Sequence, residues 1–76
     1  MKKSLEKDVS VMRKAIIQAL KARYQAQISE ADATLKIFLD HPVGIGEHPQ
    51  HLEEVEKLIK KISSAKGKLE TLKNFE

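Results

Sequence analysis

A chain of 76 residues without cysteine holds a single domain, 1–76, and excludes disulfides and thiolate zinc sites. One tyrosine and two phenylalanines leave the core to Leu, Ile, Val and Ala, and a chain this short rarely draws more than about 3–5 kcal/mol from such a core. No apolar run approaches the roughly 20 residues that span a bilayer, and the basic start meets Glu6 and Asp8 before any apolar signal segment, so a soluble, cytoplasmic protein with no membrane partner is expected.

The net charge of +3 is unevenly spread. From Met1 to Arg23 seven cations (Lys2, Lys3, Lys7, Arg13, Lys14, Lys21, Arg23) face Glu6 and Asp8, a local +5. From Glu30 to Asp40 the balance reverses, with three acids against Lys36. The basic excess therefore belongs to the N-terminal third.

Leu5, Val9, Met12, Ile16 and Leu20 recur at spacings of three and four, which places them on one helix face. A second set, Tyr24, Ile28, Ala31, Leu35, Phe38 and Leu39, lies about 100° further round. Arg23 and Gln27 stand where the first stripe would have continued. One helix over about 4–40 accounts for the shift if its halves face different partners. A break near 25–29, with Ser29 as N-cap and Asp32 as a capping-box-like acid, would instead yield three helices. The stretch from Ala22 to Ile28 holds no Gly or Pro, which favours the continuous form.

Residues 41–49 read as a turn. Pro42 disfavours helical geometry at His41, Gly44 and Gly46 suit a tight reversal, and Pro49 suits a helix start, where a missing N–H costs nothing. His41, His48 and His51 are metal-ligand types, but the last two straddle a helix start, so cap and turn chemistry is the simpler reading and no metal is expected. The two glycines resemble an anion-binding loop. No Lys-Ser/Thr follows them, and Glu47, Glu53 and Glu54 would repel an anion.

The second helix is expected over about 50–74. Val55, Leu58, Ile62, Ala65, Leu69 and Leu72 step by 3, 4, 3, 4, 3, a heptad seam. Glu53, Glu54 and Glu56 favour its N-terminal turns, and Glu53–Lys57 and Glu56–Lys60 are spaced as i,i+4 pairs. Gly67 should cost about 1 kcal/mol against Ala, unless it serves close helix contact. The predicted fold is thus all-α, an antiparallel helical hairpin.

Lengths decide what pairs. A helix over 50–74 is about 37 Å long and covers roughly residues 17–40 of the first. The first fifteen residues overhang, and Leu5, Val9 and Met12 lack an intramolecular partner. They fray, fold back or engage another chain, and a homodimer would bury them.

Lys3, Lys7, Lys14 and Lys21 project at nearly one angle, with Arg13 off that line. Such a stripe can neutralise phosphates without reading sequence, although the stacking aromatics of a dedicated single-strand binder are missing. No nucleophile elbow or Cys–His pair occurs, and the five serines have no evident base beside them. A two-helix chain also offers little concave volume, so neither an enzyme nor a cofactor is expected.

The segment Ala33-Thr-Leu-Lys-Ile-Phe-Leu-Asp-His-Pro-Val-Gly-Ile-Gly-Glu-His-Pro-Gln-His-Leu-Glu-Glu-Val55, followed by Lys-Ile-Ser-Ser-Ala-Lys-Gly-Lys-Leu-Glu-Thr-Leu, resembles small helical proteins of T4-like phages. These share the Pro-Val-Gly-Ile-Gly-Glu-His-Pro turn and are encoded beside the UvsW recombination and repair helicase. The resemblance covers residues 26–74. It implies a non-enzymatic phage accessory protein in the bacterial host's cytoplasm, tied to DNA recombination, repair or replication. DNA, a phage helicase or another recombination protein would be its partner, and no residue role is carried by the turn. Combined with the lysine stripe, the expectation is non-specific nucleic-acid contact through the first helix. The alternative is a protein-interaction module without direct DNA contact.

Overall fold

The computed structural model describes the backbone of residues 2–41 and 49–76 and the side chains of residues 8–41 and 51–76. Two α-helices fill it, α1 (Lys2–Asp40) and α2 (Pro49–Leu72), and a single 3-10 turn over Lys73–Phe75 ends α2. They pack antiparallel as a hairpin, a rod of 66 × 16 × 15 Å. Val43 and Ile45, with Pro42, Gly44 and Gly46 of the predicted turn, lie outside the described residues.

α1 runs unbroken through residues 25–29, and Ser29 is an exposed position inside it. No helix breaker is present there, so the shift of apolar face is met by a change of surroundings and not by a kink. Helical bonding continues to the edge of the turn, where the His41 N–H donates to the Ile37 carbonyl at 3.2 Å. α2 starts at Pro49, the residue whose missing N–H suits a first helical position.

The packed face of α1 consists of Ile17, Leu20, Tyr24, Gln27, Ile28, Ala31, Leu35 and Phe38, all buried or half-buried. Ile17 and not Ile16 begins it, because α2 approaches between the two apolar stripes. Leu39, assigned to the second stripe by spacing, points away and is exposed. On α2 the predicted seam holds at every position from Val55 to Leu72.

Among the described residues only Ala31 and Ala65 are buried, at 2% and 1% exposure. Their small side chains sit in the seam, flanked by larger residues that each keep one side in water. Two helices can cover only one face of each other, so hydrophobic burial, which scales with apolar area removed from water, stays incomplete. The fold is therefore expected to sit near the low end of domain stability.

Three local expectations change. Gly67 serves no close helix approach, since a Cβ added there would meet nothing within 4 Å. Its carbonyl instead accepts the Thr71 hydroxyl at 3.0 Å, as the Glu30 carbonyl accepts that of Thr34. Lys57 reaches Glu54 at 3.3 Å, three residues back, where the spacing had pointed to Glu53. The first turn of α2 also carries no acid, so its glutamates act on the dipole from beyond the turn where that effect is strongest.

Candidate docking groove and its basic flank

The unequal helix lengths position the site. At 1.5 Å per residue α1 is about 58 Å long and α2 about 36 Å, and since both end at the turn, the shortfall appears at the N-terminus of α1. The tip of α2 is tied down there by two contacts. The Arg13 guanidinium donates to the Phe75 carbonyl at 2.7 Å, and Lys21 Nζ lies 2.6 Å from Glu76 Oε1. Both pairs are exposed or half-exposed, so they orient the tip more than they stabilise the fold.

Between the overhang and this tip lies an open groove of about 470 Å³. Val9, Met12, Ile16 and Leu20 supply one wall with Ile17 at its base, and Leu72 and Phe75 supply the other, with Arg13 the one charged residue among them. Val9 is 64% exposed, Met12 62% and Ile16 57%. The concavity was not foreseen from a two-helix sequence. It exists because Phe75, on a 3-10 turn beyond the seam, swings out beside α1. The signal available in the sequence was a lone aromatic three residues past the last seam leucine.

Of the predicted interaction residues, Val9 and Met12 line this groove. The side chain of Leu5 is outside the described residues. The same holds for Lys3 and Lys7 of the basic stripe. Lys14 and Lys21 do share a face, together with Gln18, but Lys21 is half-buried and paired with Glu76. Arg13 belongs to the groove and to Phe75, away from that stripe.

Sequence reading missed the contribution of α2 to the basic flank. Lys66 and Lys73 come beside Lys21 and Gln25, with Glu70 and Glu76 among them. Lys73 is 3.1 Å from Glu70, so acids are interleaved with the cations. Lys68 Nζ stands 5.5 Å from the Tyr24 ring centre, a cation–π arrangement that occupies that ring. Elsewhere on the surface Asp32, 2.9 Å from Lys36, holds its ammonium above the ordinary value of 10.5 by hydrogen bonding and opposite charge.

His41 and His51 sit at the far end of the rod. His51 meets Phe38 edge-on, ring centres 6.0 Å apart, His41 is exposed just past α1, and His48 lies outside the described residues. Among the described residues no three His, Cys, Asp or Glu side chains converge as metal ligands, and no helix is long and apolar enough to cross a membrane.

No family model matches this chain, and neither a curated protein nor a solved structure matches it.

Proposed function

We propose that the protein is a non-enzymatic helical interaction module that docks on another protein through the overhanging part of α1. The observation that carries this reading is the run of Val9, Met12 and Ile16, each more than half exposed, opening into an apolar groove closed by Phe75. Contiguous apolar surface of this kind is costly to leave in water and marks interaction sites. The turn resemblance points to an accessory role in T4-like phages, with a phage helicase or another recombination protein as the partner class. A photo-crosslinker at position 12 should give discrete adducts in the cell that makes the protein, while one at Lys60 should give none. Equal yields from both positions, or no adduct from position 12, would sink the reading.

A second reading, non-specific contact with DNA, is favoured by one observation: α2 adds Lys66 and Lys73 to the Lys14 and Lys21 flank. Paired acids weaken that flank, which is why it ranks second. Fluorescence anisotropy with labelled single- and double-stranded DNA would show salt-sensitive binding that Lys14→Glu with Lys66→Glu removes. Failure to bind at low salt rejects it.

A further inference from the structure

Resting on the docking reading above, we infer that the groove bounded by Val9, Met12, Ile16, Leu20, Leu72 and Phe75 receives an acidic amphipathic helix of a partner protein. The shape comes first. From Val9 to Arg23 α1 runs about 21 Å at 1.5 Å per residue, four turns, which matches a partner helix anchored at i, i+3 or i+4, and i+7. The wall across from it is Leu72 and Phe75, so such a helix would lie against both α1 and the tip of α2 and complete a three-helix cross-section.

Charge then selects the occupant. Arg13 lines the groove, and Arg23 follows Ile16 by seven residues, so the apolar stripe runs directly into a cation. The segment Met1 to Arg23 holds +5 overall. A partner helix with carboxylates beside its apolar face would meet Arg13 within the groove and Arg23 just beyond its Leu20 end, and its approach would be steered by the field of the whole segment. A basic helix would meet the same field as repulsion.

A second copy of this chain fits less well. Two overhangs laid antiparallel over residues 2–12 would share roughly 16 Å of helix, with Lys2, Lys3 and Lys7 outnumbering Glu6 and Asp8 on both sides. That contact falls well short of the ~800 Å² per partner of a standard interface. A copy's acids gather chiefly in its turn half, at Glu30, Asp32, Asp40, Glu53, Glu54 and Glu56.

The test uses the full chain and three fluorescein-labelled synthetic peptides of about four helical turns. One carries leucines at i, i+4, i+7 and i+11 with glutamates flanking them, one replaces the glutamates by lysines, and one scrambles the acidic sequence. The acidic peptide should bind at least about tenfold more tightly than either control, and its affinity should fall as salt rises. Met12→Glu and Ile16→Glu alter exposed positions, so helix content by circular dichroism should hold while affinity drops about tenfold or more. Arg23→Glu should erase the preference for the acidic over the basic peptide.

Equal binding of acidic and basic peptides, each lost in Met12→Glu, overturns the acidic partner and leaves the docking groove standing. Binding that Met12→Glu leaves untouched, or that the scrambled peptide matches, overturns the groove itself, as does no binding by any peptide. Concentration-dependent association of the chain alone in sedimentation, abolished by Met12→Glu, would assign the groove to a second copy and overturn the inference.

Discussion

Between Ile17 and Asp40, α1 has α2 alongside; N-terminal to Ile17, it has no helix of its own chain to lean on. The two stretches share one uninterrupted helix and the same kind of apolar spacing. Yet Ala31 is 2% exposed where Val9 is 64% exposed. Helical periodicity thus states that a face exists, while chain length determines whether the molecule itself can cover it. In this protein the uncovered face lies where positive charge is densest, so the proposed docking surface and the charge proposed to select its partner fall in the same third of the chain.

The contrast can be broken most strongly from the paired side. Ala65→Leu places a large side chain where the helices meet and should cost about 1–3 kcal/mol. Against a total of about 3–5 kcal/mol, urea unfolding should begin near zero denaturant. An unchanged midpoint would mean that the seam is looser than its 1% exposure at Ala65 indicates.

Truncations matched across the two stretches sharpen it next. Leu69→Ala removes a half-buried seam residue and should cost roughly 1–2 kcal/mol, below the range for fully buried leucines. Met12→Ala should stay within about 0.5 kcal/mol, as surface substitutions do. Similar losses at both positions would show that the overhang is packed in solution, by self-association or by folding back.

Gly67→Ala should raise stability by about 0.5–1 kcal/mol, read as a higher thermal midpoint. Open space receives the new methyl group, and the helix loses its most flexible residue. A destabilised variant would reveal a close approach at Gly67 that the hairpin does not contain.

The smallest effect concerns the surface pair Asp32–Lys36. Asp32→Asn should leave the midpoint at neutral pH unchanged within error, because both groups stand in water. The ammonium of Lys36 is raised above its ordinary 10.5 by Asp32. Whatever the pair adds is therefore fully present below pH 10.5 and lost as pH rises through the raised value. A midpoint difference between the two proteins that grows on going from pH 7 to pH 9 would contradict that sign.

Much of this was legible in the residues. The heptad steps from Val55 to Leu72, the want of a breaker between residues 22 and 28, and Pro49 at a helix start sufficed for the hairpin and for an overhang of the right length. The site was legible by half. Val9 and Met12 could be named because their stripe ran out of partners and Ile16 could be placed on that stripe, whereas Ile17 was passed over, since it lies between the two apolar stripes and belongs to neither by spacing. Phe75, Lys66 and Lys73 were out of reach for another reason: each matters through what α2 brings beside α1, and a pattern along one strand of text carries no azimuth between two helices.

The sequence by itself determined two helices, their order and which one is too long, because spacing and breakers act locally along the backbone. Tertiary structure alone decided where the packed face begins, that Arg13 turns to the Phe75 carbonyl and Lys21 to Glu76, and that a groove opens between the overhang and the tip of α2. Those outcomes depend on the rotation of one helix against the other, which is set by side chains from both helices meeting at once.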